Sequence, residues 1–423
     1  MRQWSAILLG LALTPALLNA AESSRLLQPS GNEAWIPAPG DSFGSYISNN
    51  ETRIRAVVND IYFSDSTEPF GPGYTPERVV QMRAPYEILP SQAGCATSGA
   101  GEDMGFLLIH GLTDSPYLLR SVANSLVEHY PCAIARGVLL PGHGTVPGDS
   151  VSMQHEDWMA VTQFGVESFR GQVEALFMVG FSTGTALSLR YVDAHRGDEL
   201  ISGLIMLSPA LAASSDNAFL AQYLRWFSDW LGGTQAERDA AKYESFAVNA
   251  GAEFYQLTRP LTRAGFAPLT VPIFMAGSGD DTTVNMEAAR SFFCTKAPPD
   301  RRRMIWYSAQ ATGSDPVALC SGIEVVAAES PAHRVFSLSH TSITIPPDDT
   351  HYGLDAAYSI CLHYGAGSAE YNTCVNDDMQ TVYGERNLGT MGRYEGKFVR
   401  RGSFNPHYEQ LLEAIVRFVD DNK

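Results

Sequence analysis

The chain has 423 residues and a mass of 46.0 kDa; 45% of it is hydrophobic and 18% charged, which excludes wholesale disorder and leaves room for two or three domains or one α/β domain with insertions. Lys and Arg number 29 against 46 Asp and Glu, so the formal net charge is −17 and the isoelectric point lies near 5.0. Such a chain lacks the basic surface that phosphate backbones require, which removes nucleic acid from the expected partners and disfavours anionic lipid headgroups.

In chain order, Arg2, an apolar run from Ala6 to Leu18 and the small residues around Ala20 predict a secretory signal peptide over residues 1–20. The run is shorter than the roughly 20 residues a spanning helix needs. No later segment is apolar for long enough, so an exported protein, periplasmic or secreted, without a transmembrane segment is expected. Export gives meaning to Cys95, Cys132, Cys294, Cys320, Cys361 and Cys374. Six cysteines in an oxidising compartment predict three disulfides, and pairing of nearest neighbours (95–132, 294–320, 361–374) is the expectation among several connectivities. No Cys/His spacing suits a metal, and no cofactor is implied.

Residues 21–103 mix turn clusters such as Gly71-Pro72-Gly73 with few long apolar runs, and read as an extension packed on the core. From about residue 104, short apolar runs alternate with helical stretches, which predicts an α/β fold with a mostly parallel sheet flanked by helices. The expected strands are Phe106–Ile109, Ile134–Leu139, Ala175–Val179, Leu204–Leu207, Ile273–Ala276, Met304–Tyr307 and Val335–Leu338. Helices are expected over Pro116–His129, Thr183–His195, Met286–Phe293 and Pro406–Val419. The core then divides into 104–208, 269–346 and a terminal helix within 404–423.

Two stretches break the alternation. In residues 209–268, Asp216 as N-cap, Phe219, Leu220, Tyr223, Leu224, Trp226, Phe227, Trp230 and Leu231, with Gly232-Gly233 as a stop, predict an aromatic helix that caps an apolar site. Residues 347–403, rich in Tyr, Gly and Asn, form a second insertion braced by a disulfide.

Gly180-Phe181-Ser182-Thr183-Gly184 matches G-x-S-x-G between an expected strand and an expected helix. A tight strand-to-helix turn strains the Ser backbone and needs small neighbours, which Gly180 and Gly184 supply. Gly40-Asp41-Ser42-Phe43-Gly44 matches the same pattern, but Trp35-Ile36-Pro37-Ala38-Pro39 before it forbids a central strand, so Ser42 reads as a turn residue. That segment together with Asp348-Asp349-Thr350-His351 is similar to elements of SGNH hydrolases, a reading that fails for want of a strand before the Ser.

His110-Gly111-Leu112-Thr113, Pro141-Gly142-His143-Gly144 and the Ser182 pentapeptide, each after a strand, resemble the α/β-hydrolase superfamily, in particular its serine aminopeptidase S33 and monoacylglycerol lipase-like group. The resemblance spans roughly Gly105 to Asp281 and implies an α/β-hydrolase fold with a helical cap. It also implies a triad in the order Ser, Asp, His, with Ser182 as nucleophile and the backbone N–H groups of Leu112 and Thr183 as oxyanion donors. The acid follows the strand Ile273–Ala276: counting from Gly277 selects Asp280, counting back from Val284 selects Asp281, and Asp281 is favoured because Thr-Thr-Val leads into the next helix. For the base, His340 ends the run Val335-Phe336-Ser337-Leu338-Ser339, while His407 precedes the terminal helix, where the family's His usually lies. His143 reads as loop-shaping, and His351 and His363 as polar residues of the insertion. The expected activity is hydrolysis of a small-molecule carboxylic ester, with an apolar acyl chain suited to the aromatic cap. An aminopeptidase or other acyl hydrolase, and a non-catalytic binding protein, are the alternatives.

Overall fold

The computed structural model describes residues 25–64, 66–90, 95, 104–263, 265–309, 320–386, 391–401 and 404–423. The expected signal peptide, residues 1–20, lies outside the described residues.

Eight strands form one sheet: β1 (Tyr86–Ile88), β2 (Met104–Ile109), β3 (Ile134–Val138), β4 (Ala175–Phe181), β5 (Ile201–Leu207), β6 (Ile273–Ser278), β7 (Arg302–Ser308) and β8 (Ile323–Ala327). Their spatial order is β1-β3-β2-β4-β5-β6-β7-β8, all parallel except β1, which runs antiparallel to β3 at one edge. The period of two along each strand sorts the apolar residues onto two faces. Phe106, Leu108, Phe177, Val179, Ile205 and Phe274 belong to one buried cluster, and Leu107, Ile109, Met178, Met206 and Met275 to the other.

Helices cover both faces. The helices Arg120–His129 and Tyr408–Asp420 bring Val122, Leu126, Leu411, Ile415 and Phe418 to the first cluster. The helices His155–Glu167, Thr183–Ala194 and Met286–Lys296 bring Trp158, Leu187 and Phe293 to the second. Phe418 reaches the middle of the sheet, with its ring 6.3 Å from Phe177 and 5.8 Å from Phe274.

The residues before β2 are joined to the rest by more than β1. The helix Phe43–Val57 touches both clusters, through Phe43 and Tyr46 on one and Ile54 and Val57 on the other. Ser42 is the N-cap of that helix, its Oγ accepting from the Ser45 N–H, rather than a residue of an isolated turn. The buried Arg83 guanidinium donates to the carbonyls of Ala240 and Thr145.

Three disulfides link Cys95 to Cys132, Cys294 to Cys320 and Cys361 to Cys374, the nearest-neighbour pattern. Among the described residues no helix is long and apolar enough to cross a membrane.

Two expected elements are corrected. Val335–Leu338 is not a strand of the main sheet, which ends instead at β8. Val335 makes only isolated bridges, to Ser330 and to Tyr383 of β9 (Thr381–Gly384), itself paired in parallel with β10 (Phe398–Arg401). The run is apolar because Val335 and Leu338 pack into the first core cluster and Phe336 against Val382 and Val399 of the second insertion, not because it lies in the sheet.

The aromatic helix expected after Asp216 is reduced to short turns. A 3-10 turn at Ala218–Leu220 and one α-turn at Ala221–Leu224 replace it, and the residue before them is Asn217, with no side-chain cap. Tertiary backbone bonds capture the chain: Leu231 N–H donates to Phe246 C=O and Val248 N–H to Asp229 C=O. The regular helix of this region is Val248–Thr258.

Candidate active site

Parallel strands deliver their loops to one end, and in open α/β sheets ligands bind beyond the carboxyl ends where the strand order reverses. Here β2 has β3 on one side and β4 on the other, so the loops after β2 and β4 meet. Ser182 sits between β4 and the helix Thr183–Ala194 with φ 51° and ψ −116°, a left-handed backbone that a non-glycine residue adopts at a cost. Its N–H donates to Leu207 C=O at 3.0 Å. The flanking glycines are sterically required: a Cβ on Gly180 would lie 2.6 Å from the Gly184 backbone, and one on Gly184 only 1.9 Å from Ile109 O.

Ser182 Oγ lies 2.8 Å from His340 Nε2, and His340 Nδ1 lies 2.6 Å from Asp281 Oδ2. His340 reaches this position as the first residue of a 3-10 turn, His340–Thr344, not from a strand end. Its carbonyl accepts from Ser208 Oγ at 2.7 Å. Asp281 occupies the loop after β6, where its Oδ1 accepts the N–H groups of Thr283 (2.7 Å) and Val284 (3.1 Å). Burial pushes the Asp281 carboxyl up, but the charge and hydrogen bond of His340, with those two N–H groups, outweigh it and hold the carboxyl below its usual range.

Asp280 faces elsewhere, its Oδ2 accepting the Ala309 N–H at 2.7 Å. His407 precedes the terminal helix and stacks near the Tyr307 ring, with no contact to Ser182. The structure therefore joins Ser182, His340 and Asp281 and leaves Asp280 and His407 apart.

The loop after β2 is held by two neutral imidazoles. His143 Nδ1 lies 3.1 Å from Pro141 C=O, and its Nε2 accepts the Thr113 N–H at 3.0 Å. His110 Nδ1 lies 2.8 Å from Gly111 C=O, and its Nε2 accepts the Leu140 N–H at 3.0 Å. These partners require the proton on Nδ1 of each ring. Burial lowers His143 to about 4 and carries His110 well below its usual value. Thr113 itself has φ 65°. Leu112 and Thr183 border the same cavity as Ser182 and His340. Thr183 is the first residue of its helix, so its N–H has no intrahelical acceptor.

That cavity measures about 600 Å³. Leu220, Leu224, Leu231, Phe246 and Phe254 supply an apolar wall, and the second insertion adds Tyr358, Ile360, Leu362 and Arg401. Asp114, Asp239, Lys242 and Glu244 line a polar part. Asp114 is 3% exposed, burial raises its carboxyl, and the Lys242 ammonium stands 3.3 Å from its Oδ1. Glu244 accepts from the Tyr358 hydroxyl and from the Arg238 N–H, and burial together with the charge of Asp239 raises it to about 7. Asp239 is paired with His351, whose Nε2 lies 2.8 Å from its Oδ1, and with the Tyr352 hydroxyl at 2.7 Å.

The expected cap segment supplies Leu220, Leu224 and Leu231, whereas Asp114, Lys242, Glu244 and the residues of the second insertion reach the cavity by tertiary packing for which the sequence carries no local signal. Arg401 is a case in point: it pairs with the buried Glu385 (2.7 Å) and donates to Thr283 Oγ1 (2.6 Å), bracing the loop that carries Asp281.

Residues 106–356 match the alpha/beta hydrolase family. A thermostable monoacylglycerol lipase of Bacillus sp. (strain H-257) is 28% identical over 190 residues, which are 43% of this chain and 72% of that protein. Among solved structures, a metagenome-derived lipolytic enzyme is 20% identical with a TM-score of 0.44, over 52% of this chain and 86% of that one. A soluble variant of the monoglyceride lipase from Saccharomyces cerevisiae is 16% identical with a TM-score of 0.42, over 53% and 82%. The family match covers more than half of the chain, from β2 through the loops that bear Ser182, Asp281 and His340, and the chain belongs to the alpha/beta hydrolase family.

Proposed function

We propose that this protein is an exported carboxylic ester hydrolase that works through Ser182, His340 and Asp281 by way of an acyl-enzyme. The observation that carries the reading is the unbroken chain of short contacts from Ser182 Oγ to His340 to Asp281, opening onto a cavity with an apolar wall. The Ser182 hydroxyl attacks the ester carbonyl carbon as its proton passes to His340 Nε2. Asp281 keeps the imidazole in the tautomer with the proton on Nδ1 and stabilises the imidazolium that forms. The N–H groups of Leu112 and Thr183 receive the negative oxygen, each donor contributing about 3 kcal/mol. His340 then gives its proton to the leaving alcohol, takes one from water as the hydroxide so formed attacks the acyl carbon, and returns that proton to Ser182 Oγ as the acid leaves.

The apolar wall supports an ester with an apolar acyl chain, and the relative named a monoacylglycerol lipase points the same way. An aminopeptidase would need free carboxylates for a substrate ammonium. The Lys242 ammonium beside Asp114 already takes that place, which favours the ester. The three disulfides support export.

The test is labelling by a fluorophosphonate probe and turnover of p-nitrophenyl esters of graded chain length, with Ser182→Ala as the comparison. Labelling and turnover are both expected to vanish in the variant, with kcat down by about 10⁶-fold. A wild type that neither labels nor turns over would remove the catalytic reading. Labelling without ester turnover would keep the nucleophile and move the substrate to another acyl donor.

A further inference from the structure

We infer that Arg386, His363 and Arg401 of the second insertion form an anion-binding site for a carboxylate or phosphate group, at the edge of the catalytic cavity.

Three segments bring these residues together. In the parallel pair of β9 and β10, Arg401 lies opposite Gly384, so Glu385 and Arg386 continue past the strand end beside it. The Arg401 N–H donates to Ile360 C=O at 3.0 Å, and the Val399 N–H to the Tyr364 hydroxyl at 2.9 Å. These bonds lay the 3-10 turn Leu362–Tyr364 along β10. Leu362 and Arg401 both line the cavity that holds Ser182 and His340.

One carboxylate serves two guanidinium groups here. Glu385 is 0% exposed, its Oε1 accepts from Arg401 Nε (2.7 Å) and from the Arg386 N–H (2.9 Å), and its Oε2 accepts from Arg401 Nη2 (3.1 Å). Glu385 thereby neutralises Arg401, and the charge of Arg386 is left over. Among the described residues the Arg386 guanidinium has no carboxylate and no hydrogen-bond partner, and its Nε is sealed from water. Arg401 likewise has no such partner for Nη1.

His363 adds a third group. Both its ring nitrogens are buried without a hydrogen bond. Burial, then the positive charges of Arg386 and Arg401, lower it to about 4 against a weaker opposing influence of the Val399 backbone. At neutral pH the ring is therefore uncharged, with one N–H to give.

Buried donors are almost always satisfied, and a buried charge is normally paired. What is left over at this place is donors: two guanidinium groups and an imidazole N–H, in a chain whose net charge is −17. Such a set repels a metal ion, and a neutral hydroxyl cannot answer its charge. A carboxylate or phosphate does both, because its oxygens match the guanidinium fork and accept from the imidazole. Since Arg401 belongs to the site and to the cavity wall, the anion has two sources: a charged end of the ester itself, or a separate ion.

The experiment is isothermal titration calorimetry of the wild-type protein with inorganic phosphate and with suberate, a dicarboxylate, repeated with Arg386→Gln and Arg386→Lys. At least one probe is expected to bind saturably with a Kd of about 1 mM or below. Binding should weaken about tenfold in Arg386→Gln and about threefold in Arg386→Lys, which keeps the charge but not the fork. A melting curve of each protein separates lost binding from lost fold, and should Arg386→Gln not fold, the loss in Arg386→Lys decides.

Turnover of the mono-p-nitrophenyl ester of suberic acid, against its neutral methyl ester, then distinguishes the sources. A preference of about fivefold or more for the charged ester, removed by Arg386→Gln, assigns the anion to the substrate. Equal turnover of the two esters, with the same Arg386-dependent binding, assigns it to a separate ion. Failure of both probes to bind, or equal binding by wild type and the folded Arg386 variants, would overturn the site. Neither probe is an ester, so an absence of ester hydrolysis would defeat the catalytic reading without altering the binding result.

Discussion

The turn at Ser182 and the aromatic face at residues 219–231 border one cavity, yet they answer to different physics. At the turn, five consecutive residues meet constraints that act within the pentapeptide and against the adjoining strand end. The left-handed backbone of Ser182 and the close approach of Gly184 to Ile109 O leave almost no alternative residue at either glycine. Along the aromatic face the local helical bonds form only short turns and end at Ser228. Bonds to residues 246–253 decide its path, and its side chains are left outward. A structure dictated by near neighbours is intolerant of substitution, and one imposed from a distance tolerates changes on its outer side.

The sharpest way to break that comparison is to place a methyl group in the turn. Gly184→Ala would set Cβ 1.9 Å from a backbone carbonyl oxygen that cannot yield, so no soluble folded protein is expected. Phe227→Ala on the exposed face should leave the melting temperature within about 1 °C, measured by circular dichroism. Equal effects of the two substitutions would erase the distinction.

A smaller effect separates the paired carboxylates of the β6 loop. Asp281→Asn keeps the shape but removes the charge that holds His340, and kcat/KM on a soluble ester should fall by about 10⁴-fold. Asp280→Asn, which touches the Ala309 N–H, should change it by less than about fivefold. Reversed magnitudes would exchange their roles.

The smallest effect concerns pH. Glu244 is raised to about 7 chiefly by burial, so between the usual Glu range and pH 7 the folded chain holds a proton that the unfolded chain has lost. Its contribution to stability is therefore full below the unfolded value and disappears as pH rises through 7. Relative to wild type, Glu244→Gln should gain melting temperature as pH goes from 5 to 8, by a few degrees. A difference that stays constant across that window would refute the assignment.

The same contrast explains what could be read from the sequence. The turn around Ser182 and the His110-Gly111 loop are local, so five or six residues suffice to announce them. In the loop after β6, counting back from Val284 reaches Asp281, the carboxylate that lies against His340, while counting from Gly277 reaches Asp280, which does not. The strand expected before His340 does not exist: Val335 and Leu338 are buried in the main core and Phe336 against Val382 and Val399, and burial alone mimics a strand in an apolar run. The aromatic segment misled in the opposite sense, since residues placed for the outside look the same in sequence as residues placed for a core. Tyr358, Ile360, Leu362 and Arg401 carry no signature, because their position at the cavity depends on an insertion whose path is set by Cys361–Cys374 and by pairing with β10.

The terminal helix Tyr408–Asp420 has a consequence for the order of events in the cell. Phe418 reaches between the rings of Phe177 and Phe274, on β4 and β6, strands made far earlier in synthesis. Until the helix Tyr408–Asp420 has been made, the helix Arg120–His129 covers this face without the ring that packs against Phe177 and Phe274. A chain cut before Phe418 therefore leaves those two rings bare on that face, an opening that exposes it to proteolysis.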